Sequence, residues 1–459
     1  MNTSKNIVLV VPDGVGIKNY LYSRVFKDFD GTITLFHSFD DTTLNTIKSE
    51  INIEKEVRLE PYTSSFKETF LKELICYCRL SYNAKKVTNK SILKFWKKKK
   101  HNLKNRLFYS FIPLVSTLFK KYSSIEKLEK RYYNTLAKNP LYKSTIETFR
   151  KDIPTFIFCT HQRAMEVPTI FAAARSLNIP TATVIYSWDN IPKARLALKS
   201  DYYFVWSKYM KQELQLFYPE IKEKQIKVTG TPQFEFYFDS ENIIEKQTFF
   251  KYYGFDTQKK LICFSGDDVR TSPYDPFYLN DIATAIEKSS MVKDIQIVFR
   301  RCPVDTSGRY DWVLKKFPEL IKECPPLWNY NKKVWSAVYP TKDDIKLLVS
   351  LAYYSELVIN VGSTMAFDFG MFNKPCIYIN YDTKKDSNWS VRTIYNYQHF
   401  RSMPSEDVVY WFSNKEDIVP KISEAIEKPN TNIDKWFKTI VDFPKDASIH
   451  ISKTIQSCM

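Results

Sequence analysis

Three side chains in the first half of the sequence have the chemistry of a general acid or base, and each follows an apolar segment. Asp13 stands in VVPDGVG, His161 in CTHQRAMEVP and Asp189 in VIYSWDNIPKAR. Carboxylates and imidazoles are common proton-transfer groups in proteins. Each residue also has a simpler interpretation: Asp13 as a turn residue, His161 as a hydrogen-bonded structural histidine and Asp189 as a helix N-cap. All three are candidate catalytic residues.

The second half of the chain contains residues suited to holding phosphate. In ELVINVGSTMAFDF, an apolar run leads to Gly362, Ser363 and Thr364, after which a helix is predicted. Gly362 permits a tight turn, and free N–H groups at a helix start attract anions, although an ordinary helix N-cap gives the same pattern. Asp368 lies one turn further along, where its carboxylate can accept hydrogen bonds from a ribose diol.

Two further apolar runs end in polar residues. Arg300 and Arg301, in IQIVFRRCP, carry guanidinium groups, which bind phosphate oxygens through paired hydrogen bonds. Gly266, in LICFSGDD, permits close approach of the backbone to a ligand. A surface ion pair for one arginine and a simple loop at Gly266 are the competing interpretations. The VVPDGVG segment lacks the third glycine of a dinucleotide fingerprint, so a nicotinamide site is not predicted.

The elements that would position these residues alternate between strands and helices. Continuous apolar runs, such as those at 7–11, 155–159 and 357–360, are typical of parallel sheets covered by helices on both faces, and residues 376–380 form the last such run. A chain of 459 residues exceeds one usual core, and a polar stretch near residue 240 separates two halves. We therefore predict an α/β protein with doubly wound domains at 1–240 and 241–459. A glycine-free, lysine-rich helical region at about 65–150 interrupts the first domain.

The positive charge of the chain is concentrated in that helical region. Between Lys85 and Arg131, fifteen Lys and Arg residues stand against two Glu, which gives this segment +13 of the net charge of +17. Lysines beside aromatic and aliphatic residues, as in KFWKKKK, favour an anionic membrane surface as the partner. A solvated helical face is the alternative. No nucleic-acid-binding motif is present, so nucleic acid is not an expected partner.

The remaining composition indicates a protein of the cytoplasm. The eight cysteines form no CxxC pair and the five histidines show no metal-ligand spacing, so we expect reduced thiols and neither a structural metal nor a cofactor. The N-terminus shows no signal-peptide pattern, and the longest apolar-rich stretch, at 107–119, is too short to span a bilayer. We predict a cytoplasmic location, peripheral on the inner face of the cell membrane.

Four blocks of the sequence, taken in order, resemble the GT-B glycosyltransferases. These blocks are SWDN with the following AR, DYYFVWSKYMKQEL with IKVTGTPQFEFY, VFRRCP, and YPTKDDIKLLVSLAYYSELVINVGSTMAFDFGMFNKPCIYINYD. The superfamily also holds the non-hydrolysing UDP-GlcNAc 2-epimerases and the CDP-glycerol glycerophosphotransferases. The resemblance covers about 155–385 well and offers no counterpart for the lysine-rich region. It implies two Rossmann-like domains that face a cleft, with a nucleotide-activated donor held mainly by the C-terminal domain.

The resemblance also assigns roles to residues of the C-terminal half. By position, Gly362, Ser363 and Thr364 would meet the donor phosphates, and Asp368 would meet the ribose. Tyr339 and Pro340 would border the base. Arg300 or Arg301 takes the place of the basic residue in the R-x-x-P pattern. Cys302 stands where the phosphotransferases have histidine, which disfavours that activity.

The function implied is sugar transfer from a nucleotide sugar to a glycan or lipid-linked acceptor in cell-surface polysaccharide synthesis. The implied reaction is inverting and independent of metal, with a base from the N-terminal domain: Asp13, His161 or Asp189, in that order of preference. The alternatives are a nucleotide-sugar 2-epimerase, a CDP-glycerol-type polyol phosphate transferase and a non-catalytic partner in glycan assembly.

Overall fold

The computed structural model describes residues 5–14, 16–96, 98, 102–196, 198–330, 338–386 and 388–459. The chain forms two compact units: unit 1 comprises Met1–Gln233, Tyr330–Tyr339 and Ile440–Met459, and unit 2 comprises Phe234–Asn329 and Pro340–Thr439. Two sequence-based expectations fall outside the described residues. They are the extended segment at 334–337 and the lysines Lys97, Lys99 and Lys100 of the predicted membrane-binding segment.

Unit 1 contains a seven-stranded parallel sheet. Its strands are β1 (Asn6–Val11), β2 (Thr32–His37), β3 (Lys55–Arg58), β4 (Phe156–Cys159), β5 (Thr181–Val184), β6 (Tyr202–Val205) and β7 (Ile226–Val228). They lie in the order β3-β2-β1-β4-β5-β6-β7. Every residue of β1 and β4 is buried, as expected of strands covered on both faces. The edge strand β3 was missed from the sequence because its KEVR side chains are mostly exposed.

The helices of unit 1 include the lysine-rich region predicted from the sequence. They are α1 (Asp41–Lys48), α2 (Phe66–Lys86), α3 (Leu103–Ser116), α4 (Tyr122–Leu136), α5 (Pro140–Lys151), α6 (Val167–Ser176) and α7 (Lys208–Phe217). The four helices α2–α5 occupy the region predicted at about 65–150, and α2 packs against both α3 and α4. The lysine-rich region is thus a folded helical layer of unit 1.

A buried guanidinium ties α2 to its neighbours. Arg79, whose side chain is 1% exposed, pairs with Glu129 on α4 at 2.5 Å and with Glu220 after α7 at 3.1 Å. The rings of Tyr122 and Tyr218 have their centroids 5.2 and 4.3 Å from the same guanidinium. Because a buried charge is tolerated only when it is paired, this cluster fixes α2 relative to α4 and to the end of α7.

Unit 2 is built on a second parallel sheet. In chain order, the strands after β7 are β8 (Lys260–Ser265), β9 (Ile295–Arg300), β10 (Ile321–Glu323), β11 (Trp328–Tyr330), β12 (Val338–Pro340), β13 (Ser355–Asn360), β14 (Cys376–Ile379) and β15 (Tyr410–Phe412). The first two residues of β12 cluster with unit 1. Six of them form a sheet in the order β10-β9-β8-β13-β14-β15, and β11 pairs with β12. The prediction that 376–380 is the last strand is wrong, because β15 extends the sheet beside β14.

The remaining helices complete unit 2, except for the last one. They are α8 (Lys246–Tyr253), α9 (Asp275–Glu287), α10 (Asp311–Lys316), α11 (Lys342–Tyr354), α12 (Met365–Gly370), α13 (Val391–Tyr395), α14 (Ile418–Glu427), α15 (Ile433–Ile440) and α16 (Ala447–Cys458). Residues 440–459, predicted as part of the second domain, cluster with unit 1. Backbone bonds explain this placement, because Asp442 N–H donates to the Trp206 carbonyl at 2.9 Å, and Lys208 N–H donates to the Asp442 carboxylate at 3.3 Å.

Arg79→Met should lower the free energy of unfolding of unit 1 by about 3–5 kcal/mol, because it leaves Glu129 and Glu220 without their buried cation. Chemical denaturation followed by circular dichroism measures this loss. The exposed Arg150→Met serves as the matched control and should change stability little. Adding Glu129→Gln and Glu220→Gln to Arg79→Met should restore part of the loss. Equal stability of Arg79→Met and the parent would contradict the role assigned to the cluster.

Candidate active site

The strand order places two candidate catalytic residues at one end of the sheet in unit 1. From β1 the chain runs outward through β2 and β3, and from β4 it runs the other way through β5, β6 and β7. Parallel α/β sheets bind ligands beyond the carboxyl ends of the strands at such a switch point. Asp13 follows β1 and His161 follows β4. Two of the three candidates therefore lie where this topology places ligands.

Asp13 and His161 are in direct contact. His161 Nδ1 lies 2.6 Å from Asp13 Oδ2, and the two side chains are 12% and 11% exposed. The ring of Tyr186 packs edge-on against the imidazole, with the centroids 4.7 Å apart. A carboxylate that accepts the Nδ1 proton holds the ring in one orientation and leaves Nε2 as the basic atom. The pair is suited to taking a proton from a hydroxyl group through His161.

The backbone after β1 holds Asp13 in place. The carbonyl of Gly14 accepts a hydrogen bond from Ile17 N–H at 3.2 Å, and a π-helical turn follows at Ile17–Leu21. A Cβ atom at Gly14 would collide with the backbone carbonyl of Val338, so only glycine fits there. The backbone at Gly14 is therefore closely packed. Single π-helical turns are frequent at functional sites.

Asp189, the third candidate, has an ion pair of its own. The Ser187 hydroxyl donates to its carboxylate at 2.7 Å, and Lys193 forms an ion pair with it. On the same loop after β5, Asn190 accepts a hydrogen bond from Arg163 at 2.8 Å. The structure therefore brings Asp13 and His161 together and engages Asp189 with a lysine.

Two titratable groups were missed from the sequence: Glu166, which interacts with Asp13 and His161, and Lys72, which interacts with Glu166. Burial, with the nearby charge of Asp13, raises the pKa of Glu166, which directly precedes α6. Burial and the Arg195 guanidinium lower the pKa of Lys72, on α2, to about 8. Lys72 could not be singled out because it is one of many lysines in the helical region. Glu166 could not be selected either, because its interaction with His161 and Asp13 is visible only in the structure.

Helix α2 also contributes an ordered ion pair to this end of unit 1. Arg195 Nη1 donates to Glu73 Oε1 at 2.8 Å, and Trp96 Nε1 donates to the other carboxylate oxygen at 3.0 Å. Glu73 neighbours Lys72 in the chain, and Lys72 interacts electrostatically with Glu166. The lysine-rich region thus supplies a lysine that interacts with Glu166, the neighbour of the Asp13–His161 pair.

The switch point of unit 2 lies between β8 and β13. Gly266 follows β8, and Gly362 and Ser363 follow β13. Gly362 has a φ of +69°, in the left-handed region that favours glycine. Ser363 N–H donates to Asn360 Oδ1 at 2.7 Å, and Met365 N–H donates to the Ser363 hydroxyl at 3.4 Å. The tight turn is present as expected, and these two N–H groups are bonded within unit 2.

The other candidate residues of unit 2 differ in their contacts with neighbouring side chains. Thr364 occupies the N-cap position of α12 without a side-chain capping bond. Asp368 is 3% exposed and accepts a hydrogen bond from the Tyr237 hydroxyl at 2.7 Å. A Cβ atom at Gly266 would collide with the Tyr310 hydroxyl, so that glycine accommodates a side chain of unit 2. The contacts of these residues with a donor remain predictions.

The two arginines differ in their surroundings. Arg300 Nη2 lies 2.8 and 3.0 Å from the carboxylate oxygens of Asp344, and both side chains are 5% exposed. Arg301 Nε lies 2.5 Å from Glu323 Oε1, with the arginine 20% exposed. Arg300 therefore forms a buried ion pair, whereas Arg301 has the more accessible guanidinium. Tyr339 and Pro340 are both buried.

A pair of buried carboxyl groups follows Gly266. Asp267 N–H donates to Asp275 Oδ2 at 2.6 Å. Burial and the neighbouring Asp275 raise the pKa of Asp267 well above its usual range, and burial raises the pKa of Asp275 to about 6. Arg309 donates to the Asp267 carbonyl at 2.6 Å and lies 3.9 Å from the Asp275 carboxylate. The carboxyl end of β8 thus carries acidic groups that hold protons more tightly than free aspartates do.

Within the described ranges, no group of three or more His, Cys, Asp or Glu side chains is arranged to hold a metal ion. All eight cysteines are free, and every one except Cys302 is buried. None of the described helices combines the length and the apolar character needed to cross a bilayer.

Residues 47–232 match the family model of monogalactosyldiacylglycerol (MGDG) synthase. The match covers less than half of the chain. It includes the whole helical region α2–α5, for which the sequence resemblance offered no counterpart, and it includes His161. No curated protein matches the chain in sequence.

Solved structures match nearly the whole chain at low sequence identity. UDP-GlcNAc 2-epimerase from Neisseria meningitidis, bound to UDP-GlcNAc, is 11% identical with a TM-score of 0.51, over 99% of this chain and 100% of that one. UDP-GlcNAc 2-epimerase from Methanocaldococcus jannaschii is 12% identical with a TM-score of 0.54, over 98% and 99%. A glycosyltransferase from Rickettsia africae is 12% identical with a TM-score of 0.53, over 99% and 98%.

Likeness at such identities establishes the fold, and both parallel-sheet units agree with it. The sequence-based prediction of the fold class is confirmed, and the match over 47–232 agrees with the resemblance to glycosyltransferases. The two parallel α/β units and the matches over nearly the whole chain show that the protein has the GT-B fold.

Proposed function

We propose that this protein is a glycosyltransferase that moves a sugar from a nucleotide-activated donor to a lipid-linked glycan acceptor in cell-surface polysaccharide synthesis. The observation that carries the proposal is the contact between Asp13 and His161 at the switch point of unit 1. The match to MGDG synthase over the segment that contains His161 supports transfer of a sugar.

In the proposed reaction His161 is the general base and Asp13 orients it. Nε2 takes the proton from the acceptor hydroxyl while that oxygen attacks the anomeric carbon. The new bond joins the acceptor oxygen to the anomeric carbon, and the bond from that carbon to the donor phosphate oxygen breaks, which inverts the configuration. The Asp13 carboxylate stabilises the imidazolium that forms. Asp189, paired with Lys193, becomes the least favoured of the three bases.

The donor is proposed to bind unit 2 at the carboxyl ends of β8 and β13. Gly362, Ser363 and Thr364 are the residues assigned to its phosphates, and Arg301 supplies a positive charge. Arg301 is preferred to Arg300 because Arg300 is committed to the buried Asp344. A relative of the same fold has been solved with UDP-GlcNAc bound, which supports a nucleotide sugar as the donor. No divalent metal is proposed for this step.

The lipid-linked acceptor is supported by the helical region. The family whose model spans α2–α5 is named for a glycosylated diacylglycerol. The sequence from Lys85 to Arg131, which includes α3, carries most of the net positive charge of the chain. Anionic lipids at the inner face of the cell membrane would attract such a segment. We therefore propose a peripheral location there.

A nucleotide-sugar 2-epimerase is the second candidate, because two of the solved structures that match the chain are UDP-GlcNAc 2-epimerases. The family match and the basic helical region favour transfer. Nuclear magnetic resonance of a single nucleotide sugar left with the protein would show epimerisation directly, because the 2-epimer accumulates without any acceptor.

One member of a panel of UDP-, GDP-, CMP- and dTDP-sugars should raise the melting temperature by about 2–8 °C, because a ligand that binds only the folded state stabilises it. Differential scanning fluorimetry measures the shift. Arg301→Gln should reduce the shift, whereas the exposed Arg270→Gln should retain it. An unchanged melting temperature with every nucleotide sugar would count against the proposal.

Asp13→Asn and His161→Gln should each lower kcat by about 10²–10⁴-fold, since either change removes an oriented base. The donor-induced rise in melting temperature should persist in both variants, because the donor is assigned to unit 2. The kcat of the double variant should be only slightly lower than that of His161→Gln alone, because the two residues act together as one base. Asp30→Asn, at an exposed position, is the control and should leave kcat unchanged. Full turnover by His161→Gln would rule out the assigned base.

A further inference from the structure

One face of α3 presents large apolar side chains to solvent. Leu103, Leu107, Phe111 and Leu114 are 70%, 63%, 53% and 66% exposed, and Leu118, in the turn after the helix, is 77% exposed. At about 100° per residue, these five positions fall within a sector of about 80°. Single exposed leucines are ordinary, whereas a continuous apolar surface marks a site of interaction. We name these five residues the α3 stripe.

The opposite face of α3 is the one that packs on unit 1. Tyr109 and Ile112 are 5% and 0% exposed, and the Trp96 ring centroid lies 5.6 Å from that of Tyr109. The helix therefore has two apolar faces, and one of them already packs against the rest of unit 1. Packing within unit 1 accounts for the buried face and leaves the α3 stripe unexplained.

Phe66 continues the stripe from the neighbouring helix. It is the first residue of α2, it is 70% exposed, and its ring centroid lies 6.4 Å from that of Phe70 and 5.8 Å from that of Phe108 on α3. A capping box between Ser65 and Glu68 fixes the start of α2. The exposed ring is thus held by an ordered helix terminus beside α3.

The charges around the stripe are positive. Residues 74–125 contain no Asp or Glu. Six exposed basic residues lie on or beside α3 and the start of α2: Lys67, Lys98, Lys104, Arg106, Lys120 and Lys121. On the helix, Lys104 and Arg106 flank the stripe on either side, and Lys98 lies 5.4 Å from the Trp96 ring that packs on α3. An apolar face bordered by cations is typical of helices that lie in the surface of an anionic membrane.

We propose that the α3 stripe, together with Phe66, inserts into the surface of an anionic lipid bilayer while the flanking basic residues meet the lipid headgroups. Helix α3 has fourteen residues, about 21 Å of helix, which is shorter than the ~30 Å hydrocarbon core. The helix therefore lies along the interface and does not cross it. This surface rests on the proposed function, because it is where the enzyme would meet an acceptor held in the membrane.

A second copy of this chain suits the stripe less well. A two-fold contact through α3 would bring Lys104, Arg106 and Lys120 of one copy towards the same residues of the other. Like charges facing each other across an interface oppose association. Anionic headgroups would neutralise these residues, so charge complementarity favours an anionic membrane over a second copy of the chain as the partner.

The test is co-sedimentation of the full chain with vesicles, without nucleotide or acceptor. Vesicles are made of phosphatidylcholine alone or with about 30% phosphatidylglycerol, and the parent protein should bind the second kind. Leu107→Ser/Phe111→Ser/Leu114→Ser should lower the partition coefficient about tenfold or more, because three apolar side chains no longer leave water. Tyr252→Ser on α8, a residue 76% exposed in unit 2, is the matched control and should bind like the parent.

A second variant separates the electrostatic part of the binding. Lys104→Gln/Arg106→Gln/Lys120→Gln should bind phosphatidylglycerol vesicles about tenfold or more weakly and should show less dependence on salt than the parent. Circular dichroism verifies that each variant is folded. Because all the substituted positions are exposed, the fold should persist.

Two results would overturn the proposal: equal binding of the parent and the apolar triple variant to anionic vesicles, and no binding of the parent at all. In the second case, a parent that is dimeric by light scattering and a triple variant that is monomeric would show that the stripe serves a second copy. A protein that binds vesicles but turns over no nucleotide sugar contradicts the proposed function alone. A protein that glycosylates a water-soluble acceptor and ignores vesicles contradicts this surface alone.

Discussion

The buried guanidinium of Arg79 is the interaction on which the arrangement of unit 1 depends. It lies in the middle of α2 and holds that helix against α4 and against Glu220. The same helix carries Lys72, which interacts with Glu166 near the Asp13–His161 pair, and begins at Phe66, next to the exposed face of α3. A shift of α2 by one turn, about 5.4 Å, would misplace the residues near the site and the apolar surface together.

Both units use the same topological device. In each sheet the chain leaves a central pair of strands in opposite directions, and the residues with functional chemistry follow those central strands. Unit 1 places a carboxylate and an imidazole in contact there, which is the arrangement that the proposed proton transfer needs. Unit 2 places a tight glycine turn and buried carboxyl groups there, with the accessible Arg301 following the neighbouring strand.

The sequence predicted the fold class, because strands buried on both faces are continuous apolar runs that a short window detects. The edge strands could not be predicted, because β3 is polar and β15 has only three residues. Asp13 and His161 were both selected from their positions after strands. Their contact across 148 residues could not be predicted, because it depends on β1 and β4 being neighbours in the sheet. Arg300 and Asp368 had suitable chemistry, but their buried partners Asp344 and Tyr237 are distant in sequence.

The most direct measurement of the central claim is the fate of a labelled sugar. The full chain is incubated with a radiolabelled nucleotide sugar and vesicles that contain lipid-linked acceptors, and the products are partitioned between organic solvent and water. We expect label in the organic phase with the parent protein, and almost no label there with His161→Gln. Label that stays in water as an epimerised nucleotide sugar, or transfer that continues unchanged in His161→Gln, would contradict this expectation.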